Sequence, residues 1–392
     1  MQMSDWESEL RDIMPHVIAF RRELHRHPEL SGQEIQTKQR ILREFRALGI
    51  ETAEFTDCHA VMGVLRNGEG RCIAVRADMD ALPIREETGL SYASENPGVM
   101  HACGHDIHMA MSLGSALWFS RNRDRWQGTV KWFFEPAEET FGGGQWMVAQ
   151  GCMEHPTVDC ILGQHVNPRY ATGTFFCKSG FVSGSSDELA LTVRGQSCHG
   201  AYPESGVDAI VIAAQVISAL QTLISRSISP FEPAVLTLGK IHGGTAENIV
   251  CGEVVMRGTL RTLSDQTRGK LRQRMVSVAA MVAEGLGGSC DVVIRPSNSA
   301  VYNDDHDYAI VERNARELLG DDHIVIREAP SLGVESFSHF LKHTPGVYYD
   351  IGSGISTALH TPTILFDEDV IQTGVALQCA NVLSLLKSED RS

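Results

Sequence analysis

The amino-acid sequence predicts an α/β fold in which a domain with a central mixed sheet is interrupted by an inserted, ferredoxin-like α+β domain. Three observations support this prediction. Strand-like runs alternate with helical stretches up to about Gly184, the order becomes βαββαβ in the middle of the chain, and the alternation resumes after about Asn298. Alternating helices and strands are typical of an α/β sheet, and the βαββαβ order is typical of a ferredoxin-like unit.

The first part of the chain is expected to begin with two helices. Ser4 with Glu7, and Ser31 with Glu34, have the spacing of capping boxes at helix N-termini, and Gly49 ends the second helix. The elements that come next are apolar segments, namely strands over 72–78, 128–134 and 160–166 and a helix over 109–120.

The inserted domain is predicted to span 184–297, which leaves 1–183 and 298–392 to the surrounding domain. Its four strands and two long helices follow the apolar pattern, and Ser264 opens the second helix. In chain order these elements are 188–193, 207–225, 234–241, 254–263, 264–287 and 290–295. After the insertion, the pattern predicts a helix over 307–319, a strand over 346–352 and a helix over 369–386.

Length and composition indicate a protein of two to three domains with an ordinary globular core. The chain has 392 residues, of which 43% are hydrophobic and 21% charged, and an average domain takes ~150 residues. The net charge of -15 repels phosphate groups, so neither nucleic acid nor an anionic membrane is expected as a partner.

The expected location is the cytoplasm. Charged residues interrupt the apolar core that a signal peptide would need near the N-terminus, and no apolar run is expected to cross a bilayer. The ten cysteines are scattered without a CxxC pair, so they are expected to be reduced thiols rather than disulfides.

The first candidate site is the segment MHACGHDIHMA, where Cys103, His105, Asp106 and His108 lie close to the start of an apolar helix. A thiolate, imidazoles and a carboxylate together suit zinc or a neighbouring transition metal. The alternative is a loop histidine pair and a buried cysteine without metal. Taken alone, the segment leaves both interpretations open.

The second candidate site is the pair Glu138 and Glu139, which comes after a hydrophobic strand and Pro136. Strand ends of an α/β sheet usually present ligand-binding groups. Adjacent carboxylates repel each other unless a cation lies between them. A metal would give them different tasks, because one could coordinate the ion while the other accepts a proton from water. A solvated acidic turn is the alternative.

Two further histidines, His165 and His360, lie at strand ends or element junctions of the same domain. Each of them alone is more often structural than a ligand. Together with Cys103, His105 and Glu139 they make five potential ligands, which is too many for one tetrahedral zinc ion. Two divalent ions about 3.5 to 4 Å apart, sharing one protein ligand, would use all five.

A series of short motifs matches one known family in order and spacing. In chain order the motifs are ELHRHPELSGQE (23–34), RADMDALPI (76–84), MHACGHDIH (100–108), EPAEE (135–139), GQHV (163–166), CHGAYPESGVDAI (198–210), GGTAENIV (243–250), GTLRTL (258–263), GVESF (333–337) and LHTP (359–362). Almost from end to end, the chain resembles the two-metal aminoacylase and carboxypeptidase metallohydrolases. Within that family it resembles the branch that contains hippurate hydrolase and the indole-acetyl-amino-acid hydrolases.

The resemblance implies a role for each residue of the first domain that matches a family motif. Glu138 would be the general base and acid. Asp78 would orient a ligand, with Arg76 at the position where sister branches have a metal-binding histidine. Cys103 would bridge the two metals. The implied metal ligands are Cys103, His105, Glu139, His165 and His360.

In the inserted domain, the resemblance implies that His199 stabilises the developing oxyanion, often by reaching over from a partner subunit. It also implies that Asn248 and Arg261 hold the carboxylate of the substrate. The long apolar helix face over 207–224 and the exposed edges of the inserted sheet further predict that this domain forms a lid and a homodimer interface.

The chain departs from the branch at a few positions. Glu135 stands where Gln is common, and Ser336 stands where Asp is common. Three lid positions, Glu204, Glu247 and Cys251, also differ. These changes remove no ligand and leave the general base in place, but they leave the preferred acyl group and amino-acid side chain open.

The predicted function is hydrolysis of an N-acyl-L-amino acid, hippurate-like or N-acetyl, to a carboxylic acid and a free amino acid by attack of metal-bound hydroxide. The expected cofactors are two divalent ions, Zn²⁺ or Mn²⁺, and Co²⁺ or Ni²⁺ would also fit the ligands. A dipeptidase or metallocarboxypeptidase is the first alternative. A catalytically silent regulator that binds metal or ligand is the second.

Overall fold

The computed structural model describes residues 2–140, 142–354 and 356–388. The chain divides into two compact units. The first comprises Met1–Val182, Tyr302–Ala329 and Ser336–Ser392, and the second comprises Ser183–Val301 and Pro330–Glu335. The second unit therefore includes a short segment, Pro330–Glu335, that no sequence pattern assigns to it.

Helices and strands of the described residues alternate through most of the chain. The helices are α1 (Met3–Leu10), α2 (Met14–Arg26), α3 (Ile35–Ala47), α4 (His105–Arg121), α5 (Gly143–Ala149), α6 (Ala209–Arg226), α7 (Asp265–Gly285), α8 (Asp305–Leu319) and α9 (Asp369–Lys387). The strands are β1 (Glu51–Glu54), β2 (Val61–Asn67), β3 (Cys72–Asp78), β4 (Gly128–Glu135), β5 (Cys160–Asn167), β6 (Phe175–Cys177), β7 (Gly180–Ser183), β8 (Ser185–Arg194), β9 (Ala234–Gly243), β10 (Glu253–Thr262), β11 (Ser289–Pro296), β12 (Val301–Asn303), β13 (Ile324–Ile326) and β14 (Gly346–Gly352).

An eight-stranded mixed sheet forms the centre of the first unit, in the order β1-β2-β4-β3-β5-β14-β6-β13. The central strands β4, β3, β5 and β14 run parallel to one another, whereas β1 and β2 are antiparallel to their neighbours. Parallel strands are usually buried on both faces, and all residues of β3, β4 and β14 are buried. The carboxyl ends of the four parallel strands therefore meet at one edge of the sheet.

Helix α4 lies in the core of the first unit. Its residues from His105 to Phe119 are all buried, so the helix is enclosed on every side rather than amphipathic. Helix α9 packs closely against it, because a Cβ atom at Gly114 would lie only 2.5 Å from Cγ2 of Val375. A hydrogen bond from Nδ1 of His108, in the first turn of α4, to Asp78 places the amino end of this helix beside the carboxyl end of β3.

The second unit contains a four-stranded antiparallel sheet in the order β11-β8-β10-β9, on which α6 and α7 pack. The chain order is βαββαβ, as the sequence predicts. Ser264 caps α7 by accepting a hydrogen bond from the backbone N–H of Thr267. The predicted fold class, an α/β protein with a mixed central sheet and an inserted ferredoxin-like unit, is confirmed.

The N-terminal region differs from the prediction. The sequence predicts two helices before Gly49, whereas the structure has three, because α1 ends at Leu10 and α2 begins at Met14. Neither predicted capping box forms. The carboxylate that caps α1 belongs to Asp5 and accepts from the N–H of Gln2. At the start of α3, Glu34 makes no capping hydrogen bond, and Glu29 accepts from the N–H groups of Gln36 and Thr37 instead. Ser31 and Glu34, which the spacing assigns to the cap of α3, make hydrogen bonds with Asp80 and with the N–H of Ala137 instead.

Two helices, α6 and α9, are long and apolar enough to cross a membrane by length and composition alone, although the sequence pattern predicts no such run. In α9, 67% of the apolar window is buried inside the protein, against 33% in α6. Core helices pass the same test, so these two helices are weak evidence for a membrane span. The ten cysteines all lie within the described residues and form no disulfide, as predicted.

Candidate metal centre

Side chains of the types that bind metal ions converge, from separate parts of the first unit, at the carboxyl edge of its parallel strands. They come from the ends of β3 and β5, from the loops after β4 and β14, and from the start of α4. This edge is where α/β sheets usually bind ligands. The residues concerned are Asp78, Cys103, His105, Glu138, Glu139, His165 and His360.

Cys103 lies at the centre of this cluster. Its Sγ atom is 3.4 Å from Nε2 of His165 and 3.4 Å from Nε2 of His360. Cys103, His105 and His165 form one group in which the ligand atoms all lie within 4.8 Å of one another. Cys103, Glu139 and His360 form a second such group. The two groups share the thiol of Cys103, so two neighbouring metal ions would have one protein ligand in common.

Two buried atoms of the cluster lack a hydrogen-bond partner within the described part of the chain. They are Nε2 of His105 and Oε1 of Glu139, and they lie 4.0 Å apart. Oε1 of Glu139 also lies 3.1 Å from Nε2 of His360, without hydrogen-bond geometry. A buried polar atom without a partner costs about 1–3 kcal/mol. A divalent cation at each group would satisfy both atoms, so the residues present fit two metal ions.

The ring orientations leave the Nε2 atoms facing the cluster. Nδ1 of His105 donates to the backbone oxygen of Asp80 at 2.9 Å, and Nδ1 of His165 donates to the backbone oxygen of Val166 at 2.7 Å. Metal-binding histidines usually donate their second ring nitrogen in this way, which fixes the tautomer. In the neutral rings, the Nε2 lone pairs are therefore free to coordinate.

The protein environment ionises the thiol. Burial opposes ionisation of Cys103, but the positive charges of His165 and His105 outweigh burial and lower the pKa of Cys103 to about 6. Burial lowers the pKa of His165, yet the nearby Cys103 thiolate outweighs it and raises that pKa to about 10. The adjacent Cys103 thiol and Glu139 carboxylate raise the pKa of His360 to about 10. Metal binding would therefore displace protons from these imidazoles.

Glu138 lies beside the cluster as well. One of its carboxylate oxygens belongs to a group with His105 and Glu139 whose ligand atoms lie within 4.8 Å of one another. Its Oε1 accepts a long, 3.4 Å hydrogen bond from the backbone N–H of Ser336. The two adjacent glutamates therefore both face His105, although they are consecutive in the chain.

A buried ion-pair network supports this edge of the sheet. Arg76 donates at 2.6 Å to both Asp78 and Glu135, and at 2.8 Å to the hydroxyl of Ser336. Oδ1 of Asp78 accepts from Nδ1 of His108 at 2.6 Å. Burial opposes ionisation of Asp78, but nearby imidazoles and the guanidinium hold its pKa well below the usual range.

Asp106 and His108, the other candidate donors of the first motif, take part in structural networks instead. Asp106 lies 2.7 Å from Nε of Arg21 and 2.9 Å from Nδ1 of His25. His108 donates from Nδ1 to Asp78, and its Nε2 accepts from the N–H of Val166 at 2.9 Å. Both ring nitrogens of His108 are thus occupied. Within this motif, Cys103 and His105 belong to the shared cluster of candidate ligands, whereas Asp106 and His108 support the surrounding structure.

Sequence reasoning misses Asp80, which links three parts of the site. Its carboxylate accepts from the hydroxyl of Ser31 at 2.7 Å and from the N–H of Glu139 at 3.0 Å. The same residue accepts from Nδ1 of His105. Its position in RADMDALPI, two residues after Asp78, is the signal that could have indicated it.

The remaining predicted site residues, His199, Asn248 and Arg261, belong to the second unit. The segments around His199 and Asn248 adjoin, because the N–H of Gly200 donates to the backbone oxygen of Asn248 at 2.8 Å. Nδ1 of His199 accepts from the N–H of Ala201 at 3.1 Å, which leaves the proton of the neutral ring on Nε2. Arg261 lies on β10 and donates to the backbone oxygen of Leu332.

Comparisons with known proteins cover most of the chain. Residues 74–383 match the model of Peptidase family M20/M25/M40. The chain is 34% identical to N-acetyl-L-cysteine deacetylase of Bacillus subtilis, over 98% of this chain and 91% of that protein. It is also 34% identical to thermostable carboxypeptidase 1 of Saccharolobus solfataricus, over 94% and 95% of the two chains. The crystal structure of the Bacillus subtilis YXEP protein, described as a dinuclear metal binding peptidase from the M20 family, matches with a TM-score of 0.85 at 30% identity, over 97% of this chain and 100% of that chain.

Proposed function

The chain belongs to peptidase family M20/M25/M40, a family of metallohydrolases that act on amide bonds, and we propose that it hydrolyses N-acyl-L-amino acids to a carboxylic acid and a free amino acid. The observation that carries this proposal is the pair of ligand groups that share Cys103, with Glu138 beside them. A catalytically silent regulator would have no need of a second carboxylate next to a metal ligand.

Two divalent ions would be held by Cys103, His105, Glu139, His165 and His360, with Cys103 as the shared ligand. When bound, the ions would lower the pKa of water towards neutrality and polarise the amide carbonyl. The mixed thiolate, imidazole and carboxylate set suits Zn²⁺ or Mn²⁺, and Co²⁺ or Ni²⁺ is also compatible.

Glu138 is proposed as the group that moves the proton. Its carboxylate would take a proton from the attacking water and deliver it to the leaving nitrogen, so that a free amine departs rather than an amide anion. The N–H of Ser336 would hold one oxygen of this carboxylate while the other reacts. Asp78 is proposed to position the site through His108 and Arg76 rather than by touching substrate.

His199, Asn248 and Arg261 are proposed to act on the substrate from the second unit. With the proton of His199 on Nε2, this ring can donate a hydrogen bond to an oxygen that gains negative charge. Asn248 is exposed and Arg261 is half-buried, so an amide and a guanidinium are available for a substrate carboxylate.

The relatives support an acyl amino acid as substrate but leave a second candidate. One relative is named an N-acetyl-L-cysteine deacetylase and others are N-acetyldiaminopimelate deacetylases, whereas another is named a carboxypeptidase. Peptides and acyl amino acids present the same amide beside a free carboxylate. A hippurate-like substrate is the finer form of the proposal, and a dipeptidase or carboxypeptidase is the second candidate.

We further propose a homodimer formed through the second unit, in the cytoplasm. Strand β9 is an edge of the four-stranded sheet, and edge strands offer unpaired backbone groups to a second chain. Ile210 and Val211 at the start of α6 are each 51% exposed, and Ile241 on β9 is 55% exposed. Cysteines that form no disulfide support a reducing compartment.

A substrate panel on metal-reconstituted protein tests the proposed function. Hippurate, N-acetyl amino acids and dipeptides would be incubated with protein loaded with Zn²⁺ or Mn²⁺, and release of the free amino acid would be measured. We expect the acyl amino acids to be turned over faster than any dipeptide, and Glu138→Gln to lower the rate by roughly 10²-fold to 10⁴-fold under identical metal loading. Faster dipeptide cleavage would favour the second candidate, and no turnover with any metal would refute both.

A further inference from the structure

The residue before the two adjacent glutamates has an unusual backbone conformation. Ala137 has a φ of 53°, in the left-handed region that side chains with a Cβ atom rarely adopt. Such a conformation persists only where the surrounding structure enforces it. The groups that hold this peptide therefore decide where Glu138 and Glu139 point.

Glu34 supplies one of these groups from a distant part of the chain. Its Oε1 accepts a 2.8 Å hydrogen bond from the backbone N–H of Ala137, and its side chain is completely buried. Its other oxygen, Oε2, has no partner among the described residues. Burial of a carboxyl group is unfavourable unless it is hydrogen-bonded. The backbone N–H groups of Gly32 and of Glu34 itself also act on this carboxyl group, but Ala137 is the contact that links it to the loop of the two glutamates.

Other contacts fix the same loop on either side. The N–H of Glu139 donates to Asp80 at 3.0 Å, and the N–H of Gly142 donates to the backbone oxygen of Ala137 at 3.0 Å. The chain also turns back sharply, because a Cβ atom at Gly143 would lie 1.8 Å from the backbone oxygen of Pro136. Two buried carboxyl groups thus hold alternate amides, those of Ala137 and Glu139.

This geometry has a consequence for the two glutamates. In an extended strand, consecutive side chains point to opposite faces. Here Glu138 and Glu139 both place a carboxylate oxygen within 4.8 Å of a ring nitrogen of His105. The left-handed turn at Ala137 lies just beyond the end of strand β4 and directs both carboxylates to the same side.

We propose that Glu34 is a positioning residue that holds Ala137 in its left-handed conformation, so that Glu138 and Glu139 reach the metal centre together. It acts through its acceptor oxygen and does not touch substrate. The proposal builds on the proposed function, because it assigns the loop a task in the same site.

Four variants test this role: Glu34→Ala, Glu34→Gln, Ala137→Gly and the double variant E34A/A137G. Gln keeps an acceptor oxygen for the N–H of Ala137, whereas Ala does not. Gly adopts positive φ without steric cost, so with Gly at position 137 the loop depends less on the hydrogen bond to Glu34. For each variant, kcat, KM and the affinity of the metal-free protein for Co²⁺ would be measured.

We expect E34A to lower kcat by roughly 10-fold to 100-fold, the usual effect of a small misplacement of catalytic groups, with little change in KM. Its Co²⁺ affinity should fall because Glu139 is displaced. E34Q should retain most of the activity, and A137G should restore at least part of both losses in the E34A background. Glu29→Ala is the matched control, because Glu29 binds the start of α3 at Thr37 without contacting Ala137. It should leave kcat and Co²⁺ affinity unchanged.

Several outcomes would overturn the proposal. An E34Q variant as impaired as E34A would mean that Glu34 acts through its charge or proton. A double variant no better than E34A, with both proteins folded by circular dichroism, would exclude the backbone role. If E34A does not fold, E34Q still tests the proposal, because a loss of Co²⁺ affinity in E34Q would contradict it. The Co²⁺ measurements need no turnover, so a failure of the proposed function would be seen separately.

Discussion

Nε2 of His105 lies 4.0 Å from Oε1 of Glu139, and neither atom has a hydrogen-bond partner within residues 2–140, 142–354 and 356–388. One atom belongs to the first residue of α4 and the other to the loop after β4. Each faces one half of a cluster that shares the thiol of Cys103. A pair of divalent ions would satisfy both atoms, and two-metal binding is described for a structural relative of the same family.

The thiol of Cys103 should react with alkylating agents only when metal is absent. Because the neighbouring imidazolium charges lower its pKa to about 6, its rate of reaction with iodoacetamide in metal-free protein should rise between pH 5 and 7 and then level off. An ordinary thiol with a pKa of ~8.5 would still be rising above pH 8. Mass spectrometry of the peptide containing Cys103 measures the rate.

Cys198 provides the internal control for this experiment. It is half-buried and lies in the second unit, so metal should not change its alkylation rate. Metal-loaded protein should show strong protection of Cys103 and none of Cys198. Equal rates for Cys103 with and without metal would indicate an inert structural cysteine.

The buried network of Arg76 makes a prediction about stability. Arg76→Met removes the guanidinium that pairs with the buried carboxylates of Asp78 and Glu135, and loss of one partner from a buried ion pair typically costs about 3–5 kcal/mol. Glu135→Gln should cost less, because Asp78 still neutralises Arg76 and the amide oxygen of Gln can accept from it. The free energy of unfolding in urea measures both. A larger loss for Glu135→Gln than for Arg76→Met would contradict this account of the network.

The homodimer should be visible by sedimentation at micromolar protein concentration. Ile241, 55% exposed on the edge strand β9, should contribute to the interface, so Ile241→Lys should shift the protein towards monomer. Val276 on α7 is 45% exposed and serves as the matched control, because Val276→Lys should leave the dimer intact. A monomeric wild-type protein, or equal effects of the two variants, would refute an interface at β9.

The sequence predicts the buried central strands of the fold better than its short edge strands. The predicted strands 72–78 and 346–352 coincide with β3 and β14, because continuous β-branched and aromatic runs are typical of buried parallel strands. Strand β1 is not predicted, since it is short and contains no buried residue. Strand β1 is one of the antiparallel strands that make the central sheet mixed rather than parallel.

Only the residues whose types suit metal binding or proton transfer could be predicted as parts of the site. The motifs and the resemblance indicate the proposed ligand residues, which the structure brings together, but they do not indicate the neighbours of those residues. Ser31 and Glu34 have the spacing of a capping box, yet they bind Asp80 and Ala137. Such partners lie dozens of residues away, so local spacing cannot distinguish a helix cap from a tertiary contact.

The most direct test of the two-metal account compares Glu138→Gln with Glu139→Gln by metal analysis and by activity at rising metal concentration. Glu138→Gln should keep its metal while the rate falls by roughly 10²-fold to 10⁴-fold, the usual contribution of general base catalysis, and added metal should not restore it. Glu139→Gln should lose metal affinity and regain part of its activity at high metal. The reverse pattern would exchange the two roles, and full activity with full metal content in both variants would contradict the two-metal account.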